Sequence, residues 1–309
     1  MIKQRNLKLD LQPQAKKSVF ARHETFHPRF GWLKKGFDRA SKDPTIFLCK
    51  DAPVRLGVGK NMVRSIRYWC GAFKLLENDQ PTDFGQQLLG WDGWDPYLED
   101  PASLWLLHWK LLEPACLATA WHFVFNYFQQ NEFTVEDLFY RLSEFLDQAS
   151  IKIADSSLKK DINCLLRMYV TQDARSSVSE DSLDSPFVDL GLISSAGDSK
   201  HFAFRLGNKP SLPAEVIVHA CLCYSALHSK TTKSIPVSRL LYEVGSPGMI
   251  FKLTESSICG AIESVSKSNL NVGIEDSAGL LQFSFDRDPV KLSTEILNDY
   301  YDAWGENAA

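Results

Sequence analysis

A glycine turn followed by an amphipathic segment constrains this chain more than any other part of its sequence. Gly57 and Gly59 form the turn, and residues 60–74 repeat with the 3.6-residue period of an α-helix. At 100° per residue, the apolar side chains collect on one face of that helix and the cations collect on the other. The cationic face carries Lys60, Arg64 and Arg67. The pattern therefore predicts a helix, a turn and a basic helix whose apolar face is buried.

Charge is divided unevenly along the 309 residues. Residues 1–77 contain 17 Lys and Arg against 6 Asp and Glu, a net charge of +11, whereas the remaining residues contain 17 against 32, a net charge of −15. Lysine and arginine neutralise phosphates, so a basic region around a cationic helix is typical of nucleic-acid binding. We therefore expect double-stranded DNA to be a partner of the first quarter of the chain.

Helical periodicity dominates the rest of the sequence and predicts a mainly α (α+β) fold. Two segments read as β-hairpins, one around Ala196-Gly197-Asp198 and one around Ser277-Ala278-Gly279. The segment after the basic helix resembles the strand and closing helix that follow a recognition helix in winged-helix domains, and the hairpins resemble the wings of such domains. We expect tandem winged-helix-like units with short β-hairpin wings around a central buried helix at about 115–130.

Breaks in the pattern predict three domains. Residues 1–100 would form a basic winged-helix DNA-binding domain, residues 101–210 a helical central domain with a hairpin, and residues 211–309 a C-terminal winged-helix-like domain. The serine-rich acidic segment at 171–185 contains almost no apolar residues. It therefore predicts a mobile loop inside the central domain.

Cysteine spacing and glycine motifs exclude several classes of protein. The seven cysteines are an odd number without CxxC spacing, which argues against a disulfide framework and a zinc site. The sequence has no P-loop, dinucleotide-binding or serine-hydrolase motif, so no nucleotide or organic cofactor is predicted. It has no apolar run of the kind that a secretory signal or a membrane helix needs. We expect a cytoplasmic protein that does not contact a membrane.

The DNA-binding hypothesis assigns a role to eight side chains. Cations would contact phosphates, while amide or guanidinium groups would contact base edges in the major groove. On the helix these are Lys60, Asn61, Arg64 and Arg67, and around it they are Arg22, Arg29, Lys34 and Lys35. The alternative is a solvated helix face without a ligand.

Two groups of side chains are candidates for activating water at a phosphodiester. The segment from His23 to His27 matches the HExxH zinc-protease pattern, but Pro28 disfavours a helix there and no third ligand follows, so we do not expect a protease. The second group contains carboxylates of the type that hold Mg²⁺ or Mn²⁺. Its members are Asp92, Asp95, Glu99 and Asp100. Asp100 is also explained as the cap of a helix beginning at Pro101.

The catalytic candidates are therefore His23, Glu24, Glu99 and Asp100, with Mg²⁺ or Mn²⁺ as the expected cofactor. His108 and His122 lie in apolar surroundings in the sequence, which is typical of histidines that pack in a core. We expect a structural role for both.

Three segments carry a resemblance to a bacterial family, and the resemblance spans most of the chain. They are FARHETFHPRFGWLKKG, LGVGKNMVRSIRYW and DPYLEDPASLWLLHW, and they resemble the SspB-type DNA nickase subunit of DNA-phosphorothioation systems. The resemblance implies a protein of phage defence that acts with an ATPase and sulfur-transfer subunits. It would nick DNA so that sulfur can replace a nonbridging phosphate oxygen. The resemblance implies a reaction class and assigns no catalytic residue in this sequence.

A noncatalytic protein is the competing hypothesis. In that case the winged helix recognises DNA and the acidic remainder of the chain recruits modification partners as an adaptor or regulator. Binding without cleavage would distinguish it from a nickase.

Overall fold

The structure is a computed structural model that describes residues 18–171, 185–198, 200–228 and 233–308. Within these ranges helices predominate, and the strands form small antiparallel sheets. The fold is mainly α of the α+β type, as the sequence predicts. None of the helices in these ranges is both long enough and apolar enough to cross a lipid bilayer.

The chain forms two compact units that interleave along the sequence. One consists of residues 1–86 and 110–204, and the other consists of residues 87–109 and 205–309. The expected boundaries at residues 100 and 210 lie at breaks in the sequence pattern, whereas the two units are defined by contacts between residues. The division into three domains stays a prediction. The expected mobile loop falls mostly on residues 172–184, which lie outside the described residues.

The first unit begins with the elements around the glycine turn. They are α1 (Trp32–Lys42), a 3₁₀ turn (Ile46–Leu48), α2 (Ala52–Leu56), α3 (Lys60–Ala72), β1 (Leu76–Glu77), β2 (Gln80–Pro81) and α4 (Asp83–Leu89). Gly36 on α1 faces α3, where an added Cβ would lie 2.5 Å from Cys70 Sγ and 2.7 Å from Ile66 Cγ2. The missing side chain at Gly36 thus permits the close approach of the two helices.

The next helix, α5 (Pro101–Leu112), lies mostly in the second unit. The remaining elements of the first unit are α6 (Thr119–Asn126), β3 (Glu132–Thr134), α7 (Val135–Gln148), α8 (Asp155–Tyr169), a 3₁₀ turn (Pro186–Leu190), β4 (Ile193–Ser195) and β5 (His201–Phe204). α6 is buried from residue 120 to 126, as expected of the central helix, but it is shorter than the predicted 115–130. The left-handed backbone of Ala115, with φ of 62°, interrupts the helical path before it.

Aromatic rings fill the core of the first unit. The Trp69 ring centroid lies 5.5 Å from that of Trp121 and 5.6 Å from that of Phe73. Phe73 in turn stacks on Phe187 at 5.0 Å. Because offset and edge-to-face aromatic pairs add to the free energy of apolar burial, this cluster holds α3 firmly against α6 and the 3₁₀ turn at 186–190.

The second unit contains the C-terminal elements. They are α9 (Ala214–His228), β6 (Ser234–Pro236), α10 (Val237–Tyr242), α11 (Pro247–Phe251), α12 (Glu255–Ser266), β7 (Val272–Ser277), β8 (Leu280–Phe285) and α13 (Pro289–Ala308). The sequence predicts only a turn at residues 245–248. The structure instead begins α11 there, because the Ser246 hydroxyl accepts the Met249 N–H and Pro247 stands in the first turn of the helix.

The two three-stranded sheets have the same topology. The strand orders are β3-β5-β4 and β6-β8-β7, so in each sheet the first strand pairs with the last, and helices precede the hairpin. The hairpins predicted around Gly197 and Gly279 are both present. The recurring order agrees with the expectation of similar units, while their interpretation as winged helices stays a prediction.

Candidate nucleic-acid interface

The outer face of α3 presents the side chains that the helical pattern predicts there. Lys60, Asn61, Arg64 and Arg67 are all exposed. The opposite face is buried and carries Val63, Ile66, Trp69 and Cys70. We call the four exposed side chains the cationic face. Their shared exposure on one helix face is the geometry that DNA contact requires, and DNA binding itself stays a prediction.

The glycine turn sets where α3 begins. Gly57 ends α2 in the left-handed region with φ of 65°, a conformation that is strained for residues with a side chain. Gly59 is extended and precedes the first residue of α3, Lys60. The turn places Lys60 and Asn61 in the first turn of α3, the end from which recognition helices contact base edges.

Two carboxylates approach the cationic face from outside α3. Glu24 Oε1 lies 3.4 Å from Arg64 Nη1. Asp79 accepts two hydrogen bonds from Arg67, one from Nε at 2.8 Å and one from Nη2 at 2.7 Å. These acids reduce the net charge of the face and restrict the orientation of both guanidinium groups.

Asp79 is a functional candidate that the sequence analysis does not identify. It stands with Asn78 in the two-residue loop between β1 and β2, where both residues have left-handed φ values of 63° and 50°. Such a loop is a type I′ turn, which favours Asn and Asp. An Asn-Asp pair between two short extended segments is the signal that would have revealed the hairpin.

The other predicted DNA contacts differ in exposure. Arg22 and Lys35 are exposed, while Lys34 is half-buried and forms an ion pair with Asp38 at 2.8 Å. Arg29 is only 7% exposed, and its guanidinium lies 5.4 Å from the ring centroid of Phe26 and 5.1 Å from that of Trp32. Cation–π packing therefore buries Arg29 in this structure. Its expected contribution to a phosphate-binding surface stays a prediction.

His23 is buried rather than poised at the surface. Its exposed fraction is 1%, its Nδ1 accepts the Thr25 N–H at 3.1 Å, and its Nε2 lies 2.8 Å from Asp161 Oδ1. With Nδ1 accepting, Nε2 carries the proton that is donated to Asp161. The same carboxylate oxygen accepts the Ala21 N–H at 2.7 Å. His23 thus anchors a turn and lies away from solvent, and its expected catalytic role stays a prediction.

That turn also determines the backbone conformation of the HExxH segment. Ala21, Glu24 and Thr25 have left-handed φ values of 53°, 52° and 70°, so the segment is not helical. The spacing that puts two histidines on one helix face is therefore absent. The turn instead brings Glu24 to the cationic face, where it remains partly exposed.

Two of the four acids in the predicted acidic cluster accept hydrogen bonds that stabilise the loop before α5 and the start of that helix. The buried Asp95 carboxylate accepts the backbone N–H groups of Glu99 and Asp100, each at 2.9 Å, and the Ser103 hydroxyl at 2.6 Å. Asp100 caps α5 by accepting the Ala102 N–H at 2.9 Å. Burial raises the pKa of Asp100. Asp100 therefore serves as a helix cap, and its expected role as a catalytic acid stays a prediction.

Asp92 and Glu99 remain exposed in this loop, which belongs to the second unit, whereas Glu24 belongs to the first. Over the part of the chain that the structure describes, no three His, Cys, Asp or Glu side chains are grouped to hold a metal ion. The expected binding of Mg²⁺ or Mn²⁺ stays a prediction.

The two core histidines behave as their surroundings in the sequence suggest. Burial lowers the pKa of His108 to about 3 and that of His122 to about 4. His108 Nε2 lies 3.1 Å from the Ile250 carbonyl oxygen, and His122 packs against Asn126. Both rings are neutral and structural.

Comparison with known proteins decides the family. A family model described as "Protein of unknown function (DUF4007)" matches residues 20–301. Two solved structures, described as "Magnesium ion-bound SspB crystal structure" and "SspB crystal structure", each match with a TM-score of 0.85 and 39% sequence identity, over 92% of this chain and 88% of the other. This chain belongs to the SspB family.

The SspB-type resemblance that the three sequence segments suggest is thereby confirmed. No curated protein sequence matches the chain. The residues that the family model matches include every candidate site residue of this SspB-family chain, from Arg22 to Asp100.

Proposed function

We propose that this SspB-type protein is a DNA-binding subunit of a bacterial DNA-phosphorothioation system and that it nicks duplex DNA for sulfur incorporation. The observation that supports DNA binding most directly is the cationic face, where four donor side chains project together from a helix whose opposite face is buried. An α-helix with side chains is about 10–12 Å across and fits a major groove about 12 Å wide. The outer face of α3 thus has both the charge and the dimensions that binding in a major groove requires.

The roles within the face differ in kind. Lys60 and Asn61 stand in the first turn of α3, and Arg64 lies one turn further on. Lysine contacts with phosphates would bind any sequence and weaken with salt, whereas Asn61 is a side chain that can pair with an adenine edge. Exposed Arg22 and Lys35 would add phosphate contacts beside the helix.

The nicking part of the proposal rests on the family and on one of its solved structures, which is described as magnesium-ion-bound. Glu24 is the candidate acid that contacts the cationic face, and Glu99 is the exposed candidate in the second unit. Mg²⁺ is commonly held by one or two carboxylates together with substrate phosphates. Because the described residues form no preformed metal cluster, we assign no chemical step to the metal.

A noncatalytic adaptor is the second candidate function, and one observation favours it. Three of the predicted catalytic or metal-binding side chains, His23, Asp95 and Asp100, are committed to buried hydrogen bonds that hold turns and a helix start. In that case the protein would bind DNA and recruit the ATPase and sulfur-transfer subunits of a cytoplasmic system without cleaving.

Two assays on the same preparation separate these functions. Purified protein is titrated against a labelled duplex in a gel shift, and it is incubated with supercoiled plasmid in Mg²⁺, in Mn²⁺ or in EDTA. A shift with metal-dependent conversion to open circles supports the nickase, and a shift without conversion supports the adaptor. Absence of binding to any duplex contradicts both.

A further inference from the structure

The Arg67–Asp79 pair differs from an ordinary surface ion pair. Asp79 accepts hydrogen bonds from Arg67 Nε at 2.8 Å and from Arg67 Nη2 at 2.7 Å, so its carboxylate occupies the Nε–Nη2 edge of the guanidinium. The Asp79 side chain is 12% exposed, whereas that of Arg67 is 45% exposed. The carboxylate therefore lies beneath the arginine and leaves the outer part of the guanidinium towards solvent.

One edge of the Arg67 guanidinium stays available. Within the described residues Nη1 has no hydrogen-bond partner, and each terminal nitrogen carries two hydrogens, so the Nη1–Nη2 edge retains two parallel donors. Parallel donors of this kind match the O6 and N7 acceptors that guanine presents in the major groove. Asp79 thus holds the Arg67 guanidinium in one orientation, with two parallel donors free to contact a base edge.

The charge of Asp79 also disfavours the alternative contact. A phosphate approaching Arg67 would meet a carboxylate that already neutralises the guanidinium, and two like charges at this distance repel. A neutral base edge meets no such repulsion. Arg64, by contrast, has a single contact with Glu24 at 3.4 Å and keeps more freedom to contact phosphates.

The backbone fixes Asp79 in place. The type I′ turn at Asn78-Asp79 closes a hairpin whose register pairs Glu77 with Gln80. Short two-residue hairpin loops have little freedom, so the carboxylate is delivered to Arg67 at a defined position.

We propose that Asp79 is a specificity-determining residue that orients Arg67 to recognise guanine in the major groove and keeps it from binding phosphates. The inference rests on the proposed binding of DNA through the cationic face. It extends that proposal by assigning base recognition to Arg67 and assigning its control to a residue outside the helix.

The test compares four proteins on one pool of duplexes with a randomised central segment. They are the wild type, Asp79→Asn, Arg67→Ala and Glu77→Gln. Asp79→Asn removes the carboxylate that accepts both hydrogen bonds from Arg67. It does not strain the turn, because Asn tolerates the left-handed region well. Glu77 is exposed on the same hairpin, so Glu77→Gln also removes one negative charge but leaves the hydrogen bonds between Arg67 and Asp79 in place. Bound and unbound sequences are counted, and circular dichroism confirms that each variant is folded.

The wild type and Glu77→Gln should enrich guanine at one position of the bound pool, and Asp79→Asn and Arg67→Ala should reduce that enrichment about tenfold, the size of a lost bidentate base contact. Replacing that guanine by 7-deazaguanine, which lacks N7, should weaken only the wild type and Glu77→Gln. For Asp79→Asn, the slope of log affinity against log salt should steepen by about 0.9, because the released guanidinium then contacts a phosphate.

Retained guanine enrichment in Asp79→Asn, or equal binding of all sequences by the wild type, would overturn the inference while leaving DNA binding intact. Failure of the wild type to bind any duplex in the pool would instead overturn the proposed function, and the inference with it.

Discussion

Replacing Gly36 by alanine tests whether the close approach of α1 and α3 holds the cationic face in place. The added Cβ would lie 2.5 Å from Cys70 Sγ and 2.7 Å from Ile66 Cγ2, where ordinary contacts need 3.4–4 Å. Both neighbours are fully buried, so neither side chain can rotate into solvent. The helices must therefore separate by roughly 1 Å, since a packed core does not absorb an extra methyl group freely.

Overpacking of this kind costs about 1–3 kcal/mol, which exceeds the gain of up to about 1 kcal/mol from replacing a helical glycine by alanine. A chain of 309 residues should lose roughly 1.5 °C of melting temperature per kcal/mol. Scanning calorimetry of wild type and Gly36→Ala measures the change, and the variant should also bind duplex DNA more weakly.

Gly71→Ala is the matched control, because Gly71 lies in α3 and the atoms nearest to its added Cβ are 4.0 Å away. It should leave the melting temperature unchanged or raise it slightly through helix propensity. Equal melting temperatures for Gly36→Ala and Gly71→Ala would refute the close-packing explanation.

Three further predictions concern other parts of the structure. Asp100→Ala should destabilise the protein by about 1 kcal/mol in denaturant unfolding through loss of the α5 cap, whereas Asp100→Asn, which can also cap, should cost much less. Burial lowers the pKa of His108 to about 3 in the folded protein, whereas an unfolded histidine takes up a proton near its ordinary pKa of 6.5. The contribution of neutral His108 to stability is therefore complete above pH 6.5 and is lost as the pH falls towards 3. His108→Gln should therefore flatten an acid titration followed by circular dichroism, and an unchanged titration would contradict this reasoning. In plasmid nicking, Glu24→Gln and Glu99→Gln should each lower the rate if these acids assist cleavage, and wild-type rates in both would remove them as candidates.

Elements with local signals could be predicted from the sequence. The 3.6-residue period predicts α3 and its buried face, because amphipathic helices repeat over a few residues. Thr134 and Asp137 predict the start of α7, where the structure forms the reciprocal capping box. Hairpins at Gly197 and Gly279 follow from turn residues between short apolar runs.

Features that depend on distant partners could not be predicted in the same way. His23 and Asp161 are 138 residues apart, so no local pattern indicates that this histidine pairs with a buried carboxylate. Arg29 looks like a surface cation until Phe26 and Trp32 are seen to enclose it. The interleaving of the two compact units likewise depends on contacts between segments far apart in sequence.

The candidate site shows the same division. The exposure of Lys60, Arg64 and Arg67 follows from helix geometry, which the sequence specifies locally. Their pairing with Glu24 and Asp79 depends on two turns with left-handed residues that lie outside the helix. Sequence reasoning therefore locates the cations and misses the carboxylates that control them.

Equilibrium binding to one duplex over a series of salt concentrations tests most directly whether the cationic face of α3 is where DNA binds. The comparison is between wild type, the double variant Lys60→Ala with Arg64→Ala, and a charge-matched double variant of the exposed Lys267 and Lys291 in the second unit. The α3 variant should bind at least about tenfold more weakly, with a salt slope that is lower by about 2, while the control stays near wild type. Equal affinities for the two double variants would show that DNA, if bound, is held elsewhere.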